Sequence, residues 1–151
     1  MNKIIFTKSG YENLIQEQDY LTEKRVSTLE RLVRAREMGD LSENSAYRAS
    51  RSELSGIDSR LRQIAYYIKC AEISNPKGDV ADIGCRVFVN DGKNSFDYEI
   101  VGDYEADPVK RKVSVLSPIG NALLGKKVGD NITINIPSGK LNYKLKTIEK
   151  I

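Results

Sequence analysis

A short break between two long helical patterns is the feature that most limits how this chain folds. The break covers residues 39–47, with the sequence Gly-Asp-Leu-Ser-Glu-Asn-Ser-Ala-Tyr. Residues from about 8 to 37 before it, and from about 44 to 73 after it, are rich in charges and have helical spacing. Because so short a connection leaves the second helix beside the first, the two must run antiparallel as a hairpin. Asp40 and Glu43 then lie at its tip, where two carboxylates can reach into another molecule.

Apolar residues predict that the two arms pack as a coiled coil. In the second arm they step by three and four, as Leu54, Ile57, Leu61, Ile64 and Ile68. Thr7 is a plausible N-cap of the first arm, whose apolar residues are Tyr11, Leu14, Ile15, Leu21, Val26, Leu29, Leu32 and Val33. An arm of about 30 residues would extend about 45 Å, which is longer than a compact domain needs.

A cluster of turn-forming residues, 75–79, ends the helical half and predicts a domain boundary. We therefore expect a hairpin domain over residues 1–75 and a globular domain over residues 76–151. The second half has five strand patterns, at residues 85–89, 95–101, 112–116, 131–136 and 141–148, and a short helix near 118–124. The expected fold class is α+β.

Composition excludes several kinds of chemistry. The 151 residues include no histidine and only two cysteines, Cys70 and Cys85, so a histidine-activated nucleophile, an ordinary Cys/His zinc site and a disulfide framework are all excluded. The net charge of +3 is too small for wholesale wrapping of nucleic acid, so any recognition by charge must come from local patches. Carboxylates are therefore the side chains through which this protein could assist catalysis.

The sequence also favours a cytoplasmic protein with no membrane partner. No apolar run approaches the ~20 residues of a membrane span. The first ten residues, MNKIIFTKSG, are too short and polar for a signal peptide.

Two separate motifs resemble the bacterial Gre transcript-cleavage factors. Residues 35–47, continuing through Ala49, Arg51 and Leu54, are similar to the coiled-coil tip of that family, and residues 100–107 and 117–130 are similar to its carboxy-terminal domain. The resemblance covers nearly the whole chain in the expected order. It implies an N-terminal antiparallel coiled-coil hairpin followed by a small FKBP-like β-sheet domain with a short helix.

The resemblance implies a transcription elongation factor that is not itself an enzyme. Gre factors bind bacterial RNA polymerase at the rim helices of its secondary channel and pass the coiled coil down that channel. There they stimulate the polymerase's own endonucleolytic cleavage of the nascent RNA 3′ end in backtracked or arrested complexes. The implied partners are thus the polymerase and the nascent RNA, and a monomeric factor is expected.

The family's acidic pair falls on Asp40 and Glu43, which the resemblance makes the catalytic and Mg²⁺-binding residues. Hydrolysis at a two-metal site needs ions on the attacking and leaving oxygens, and Mg²⁺ is usually held by only one or two protein carboxylates. We therefore expect no stably bound metal in the free factor, and an Mg²⁺ shared with the polymerase active site. Asp40 is a candidate metal contact, and Glu43 a metal contact or a residue that orients water. The same spacing before a helix is also that of a capping box, and the two roles remain open.

Other residues at the tip match contact positions of the family. Arg36 and Arg51 match its basic patch, whose small size favours GreA-like cleavage of very short backtracks. Tyr47 is expected to pack the tip with an accessory contact to RNA or polymerase, and Asn44 to close the turn through its amide. Gly39 is expected to supply a backbone conformation that other residues resist. For Arg31 and Arg48 a solvated helix face with Arg–Glu pairs is the favoured interpretation.

In the globular domain, one segment resembles the part of the family that faces the polymerase rim helices. Its residues are Ser117, Pro118, Ile119, Ala122, Leu123 and Leu124, and core packing of the short helix is the competing interpretation. Since Leu123 and Leu124 cannot both be buried on so short a helix, an exposed one would favour docking.

Two other functions remain to be weighed against cleavage stimulation. A purely competitive, inhibitory channel binder of the same shape would not need the two acids at the tip. A prolyl isomerase would need an aromatic-lined pocket, whereas the second half has no tryptophan and only Phe88 and Phe96 as phenylalanines.

Overall fold

The computed structural model describes residues 2–39 and 44–151, which form two compact units. One unit comprises residues 12–70, and the other joins the segment up to Tyr11 to residues 71–151. The expected fold class, a helical hairpin followed by a β-sheet domain with a short helix, is confirmed. The single boundary expected at residue 75 differs from the structural division, because the first residues of the chain pair with a strand that follows the hairpin.

The hairpin consists of helix α1, Lys8–Arg36, and helix α2, Ser45–Cys70. Ion pairs join the helices between Glu17 and Arg60, between Arg25 and Asp58, and between Arg31 and Glu53. As the residue number rises along α1, that of its partner falls along α2. The helices are therefore antiparallel, as the short break predicts.

The seam of α2 follows the predicted coiled-coil spacing. Three of its buried residues, Ser50, Ile57 and Ile64, are seven apart. The other seam positions, which lie three residues before or four residues after these, hold half-buried Tyr47, Leu54, Leu61 and Ile68. This alternation of three and four is the seam that the aliphatic residues indicate.

The seam of α1 differs from the prediction. Its buried residues are Leu14, Thr28 and Ala35, with half-buried Leu21 completing a spacing of seven. The sequence pattern also placed three further aliphatic residues on this seam, but the structure leaves them exposed. The exposed fractions are 59% for Val26, 40% for Leu29 and 49% for Val33. They lie roughly a third of a turn around the helix from the seam, at about 3.6 residues per turn, so α2 does not cover them.

The second arm ends three residues earlier than its helical pattern predicts. Residues Ala71–Ile73 form strand β2, which pairs in parallel with strand β1, Ile4–Phe6. The N–H of Ser74 then donates to the carbonyl of Phe6 at 2.8 Å. Pairing with β1 takes the place of a last helical turn, because the backbone N–H and C=O groups of Ala71–Ile73 find hydrogen-bond partners in β1 instead of within the helix.

The globular unit also contains a five-stranded sheet of order β5-β4-β3-β7-β6. Its strands are β3 Cys85–Asn90, β4 Ser95–Val101, β5 Lys112–Ser114, β6 Asn131–Ile136 and β7 Gly139–Lys150. Strands β4 and β5 are parallel and all other neighbours are antiparallel. The five predicted strands are thus all present, with β5 ending two residues early and β7 extended at both ends.

The core of this unit packs one face of the sheet against helix α3, Pro118–Leu123. The buried residues of this core include Val87, Val89, Ile100, Leu123, Ile132, Ile134 and Leu145.

Cys70 and Cys85 are buried free thiols, and burial raises the pKa of Cys85. Among the described residues, no helix has the length and apolar character to cross a membrane.

Candidate functional site

The acidic pair predicted to be functional, Asp40 and Glu43, lies outside the described residues. The structure does describe the residues on either side, from the end of α1 to Gly39 and from Asn44 into α2. These flanking residues show how the chain turns at the tip.

Asn44 ties the two helices together at the tip. Its side-chain N–H₂ donates to the carbonyl of Ala35 at 2.6 Å, and its side-chain oxygen accepts from the N–H of Tyr47 at 3.0 Å. The amide thus binds a carbonyl at the end of α1 and caps the start of α2. The expected closure of the turn by Asn44 is confirmed. The capping-box interpretation of Asp40 and Glu43 falls outside the described residues.

Gly39 follows the last turn of α1 with a φ of +123°. Among the described residues, its chain neighbours aside, no atom lies within 4 Å of where its Cβ would be. The backbone conformation, rather than space, therefore favours glycine here, as expected from the sequence.

Arginines near the tip fall into two groups. Arg31 is engaged, since it pairs with Glu53 at 3.0 Å and donates to the hydroxyl of Thr28 at 3.1 Å. The hydrogen bond from Arg31 lowers the pKa of Glu53. Arg36, Arg48 and Arg51 are exposed, and within the described ranges none of them has an ion-pair partner. As exposed guanidinium groups near the tip, these three are the candidates for contact with phosphate.

Tyr47 is half-buried and occupies the first seam position of α2. Its place on the seam agrees with the expectation that it packs at the tip. Thr28 and Ser50, buried polar residues on the same seam, were not anticipated from the sequence. Their positions in the sequence do indicate the seam, because Thr28 is seven residues from Leu21 and Ser50 is seven residues from Ile57.

In the globular unit, Ser117 organises the segment expected to face the polymerase. Its hydroxyl donates to the carbonyl of Ser114 at 2.6 Å and accepts from the N–H of Gly120 at 3.1 Å, which caps α3. Pro118 is exposed at the first turn and Ile119 is half-buried. Ser117 therefore fixes where these two side chains stand.

Leu123 does not lie on the exposed surface of this segment. It is 1% exposed and belongs to the core, whereas Leu124 is 41% exposed. The expectation that Leu123 contacts a partner is contradicted, because the inward face of α3 must cover the sheet. Leu116 and Val128, at 76% and 59% exposed, are further apolar residues on either side of α3 in the chain.

Models of one protein family match both halves of the chain. The model described as "Transcription elongation factor, N-terminal" matches residues 4–73, and that described as "Transcription elongation factor, GreA/GreB, C-term" matches residues 75–150. The chain belongs to the GreA/GreB family of transcription elongation factors.

Individual relatives place the chain on the GreA side of the family. It is 39% identical to transcription elongation factor GreA of Clostridium acetobutylicum, with 97% of each chain covered. It is 40% identical to GreA of Thermoanaerobacter pseudethanolicus, over 97% of this chain and 98% of the relative. Among solved structures, GreA factor homolog 1 of Thermus thermophilus is 27% identical with a TM-score of 0.47, over 98% of this chain and 99% of that one.

The described residues of this GreA-like factor offer no metal centre of their own. Within residues 2–39 and 44–151 no three potential ligands among cysteine and carboxylate side chains converge. The two tip carboxylates are oxygen donors, the type that Mg²⁺ prefers, and two carboxylates are enough when other ligands come from elsewhere. The donor chemistry of the pair thus fits a shared Mg²⁺.

Proposed function

We propose that this GreA-like factor binds bacterial RNA polymerase and stimulates the polymerase's own cleavage of the nascent RNA 3′ end in backtracked or arrested complexes. The observation that carries the proposal is the amide of Asn44, which ties the end of α1 to the start of α2 in an antiparallel hairpin. In the sequence, Asp40 and Glu43 belong to the segment that connects these two helices. A hairpin of this kind presents its turn to whatever the tip enters.

In this proposal Asp40 and Glu43 supply carboxylate oxygens to the polymerase active site. Asp40 is the metal contact, and Glu43 either shares that contact or orients the attacking water. A bound Mg²⁺ there supplies a positive charge that stabilises the attacking oxygen in phosphodiester hydrolysis. Because the pair provides only two carboxylates, the free factor would not hold a metal stably, and in this proposal the cleavage activity belongs to the polymerase.

The residues around the acids position them and the RNA. Arg36 and Arg51 are exposed, and a guanidinium group binds a phosphate with two parallel hydrogen bonds. They are the proposed contacts to the extruded 3′ segment, with an accessory contact from Tyr47. Asn44 already uses both ends of its amide within the hairpin, so its role is to hold the turn in shape.

The globular unit docks on the rim helices of the secondary channel in this proposal. Ser117 holds the segment, while Pro118 and Ile119 present apolar surface. Leu124 takes the contact first assigned to Leu123, since it is the exposed member of the pair. Exposed apolar residues grouped in this way are typical of a protein interface.

The test is cleavage by stalled, backtracked bacterial RNA polymerase in the presence of Mg²⁺. We compare the wild-type factor with its Asp40→Asn and Glu43→Gln variants, and use Asp91→Asn, in the β3–β4 turn of the globular unit, as a carboxylate control. The proposal expects rapid release of very short 3′ fragments by the wild type and the control. Both tip variants should lose stimulation while still competing for the polymerase.

Binding without stimulated cleavage by the wild-type factor would overturn the proposal. The factor would then be a competitive channel binder of the same architecture. Loss of binding in the tip variants would also count against it, because the acids would then act in docking and not in chemistry.

A further inference from the structure

Helix α1 has an apolar stripe that its partner helix does not cover. Val26, Leu29 and Val33 step by three and four residues and are 59%, 40% and 49% exposed. Leu29 and Val33 line a shallow groove together with Glu30, Arg34 and Glu37. Three large aliphatic side chains in line on one face cost solvation free energy unless something covers them.

A row of carboxylates runs beside the stripe. Glu23, Glu30 and Glu37 are seven residues apart, so they fall on one side of it, and all three are exposed. None of them has an ion-pair partner within the described parts of the chain. The acids near the seam behave differently, since Glu17, Glu53 and Asp58 each pair with an arginine of the other helix.

The chemistry of this face selects its occupant. Carboxylates repel nucleic acid, and Arg34 is the one cation among the residues that line the groove. The same face of a second copy would bring another acidic row and few cations. A helix with its own apolar ridge and a row of lysines or arginines would cover the stripe and neutralise the row.

We propose that this face of α1, formed by Val26, Leu29, Val33 and the acidic row, docks a basic amphipathic helical segment of RNA polymerase. The proposal rests on the proposed function, because it takes the polymerase as the partner. It assigns to the hairpin a binding surface separate from the tip. The tip then determines the rate of cleavage at saturation, and the α1 face determines the concentration of factor at which cleavage reaches half its maximum.

The experiment measures stimulated cleavage against factor concentration for three full-length variants. The first replaces the stripe, by Val26→Ser, Leu29→Ser and Val33→Ser. The second neutralises the row, by Glu23→Gln, Glu30→Gln and Glu37→Gln. The control makes the same change in net charge, by three positive units, at exposed positions of α2, through Ser52→Lys, Ser55→Lys and Ser59→Lys. Thermal melting by circular dichroism checks that each variant folds.

The stripe and row variants should each raise the half-saturating concentration by about tenfold, as expected for loss of part of an interface core. Their maximal cleavage rate should stay unchanged, and the control should keep the wild-type concentration dependence. Added salt should weaken the wild-type factor more than the row variant, because screening acts on the charge pairs.

Three results would overturn the inference. Unchanged half-saturation in both variants, with cleavage intact, would reject the α1 face and leave the proposed function standing. An equal effect of the α2 control would assign the change to net charge. Concentration-dependent self-association that the stripe variant abolishes, with polymerase affinity unchanged, would make a second copy the occupant.

Failure of the proposed function is separable from these results. If the wild-type factor binds polymerase without stimulating cleavage, fluorescence anisotropy of a labelled factor replaces cleavage as the readout for the same variants. A factor that does not bind polymerase at all would reject both proposals.

Discussion

The carboxylate of Glu105 accepts two hydrogen bonds from Thr7, one from its N–H at 2.9 Å and one from its hydroxyl. The two residues are 98 positions apart in the chain. Thr7 is also the N-cap of α1, because its hydroxyl accepts from the N–H of Gly10 at 3.0 Å. The same carboxylate accepts from the N–H of Gly102 at 3.0 Å. One side chain of the globular unit thus fixes the residue that starts the hairpin helix.

Replacement of Glu105 by glutamine should destabilise the globular unit by about 1–2 kcal/mol, because hydrogen bonds to a charged group become neutral ones and one acceptor becomes a donor. The measurement is urea unfolding followed by circular dichroism. Glu12→Gln, on the exposed face of α1, is the matched control. Equal stability of the two variants would mean that the Glu105 contacts contribute nothing net.

Gly10→Ala should be destabilising although it lies in a helix. A Cβ at Gly10 would lie 1.8 Å from the Oε1 of Glu105, so the carboxylate would have to leave Thr7. Gly56→Ala, in open space on α2, should instead stabilise by about 0.5–1 kcal/mol through helix propensity. The two melting temperatures should therefore shift in opposite directions, and a parallel shift would contradict the steric argument.

The ion pairs between the helices should make the hairpin sensitive to acid. Hydrogen bonds from arginine lower the pKa of Glu17, of Glu53 and of Asp58. A carboxylate with a lowered pKa stabilises the fold above its unfolded value of about 4, and that stability is lost as the pH falls through the lower folded value.

Unfolding midpoints in urea between pH 7 and pH 2 measure this effect. The variant with Glu17→Gln, Glu53→Gln and Asp58→Asn should depend less on pH than the wild type below about pH 5. Identical pH profiles would show that these exposed pairs contribute nothing to stability.

Asn44→Ala should destabilise the hairpin by about 1 kcal/mol through loss of the cap on α2. Asn44→Asp keeps an acceptor for the N–H of Tyr47 and loses the donor to the carbonyl of Ala35. Its stability should therefore lie nearer the wild type, whereas its maximal rate of stimulated cleavage should fall as far as that of the alanine variant. Full cleavage by the aspartate variant would show that the tie to α1 does not position the acids.

Substitutions at Leu123 and at Leu124 should have different effects, the first on the stability of the fold and the second on binding to RNA polymerase. Leu123→Ala should cost about 2–5 kcal/mol, because it leaves a cavity in the core beneath α3. Leu124→Ser should leave the melting temperature nearly unchanged and weaken binding to RNA polymerase in a competition assay. Unchanged binding in the serine variant would remove Leu124 from the docking surface.

Much of the architecture follows from local pattern. The short break at residues 39–47 and the aliphatic spacing in α2 predict an antiparallel hairpin, since both depend on neighbours in the chain. Alternating apolar and polar residues, bounded by turn-forming residues, likewise indicate the five strands of the larger sheet. The helical spacing of α1 did not identify its seam, because Val26, Leu29 and Val33 also follow a helical period. Only the position of α2 decides which stripe is covered.

By itself the sequence determined the two helices, the five strands, the family and the acidic pair at the turn, because periodicity and motif are properties of neighbouring residues. The tertiary structure decided what distant residues do to one another. It paired Ile4–Phe6 with Ala71–Ile73, brought Glu105 to Thr7 and buried Leu123 while exposing Leu124. Such choices depend on which surfaces meet once the chain is compact, and no local spacing records that.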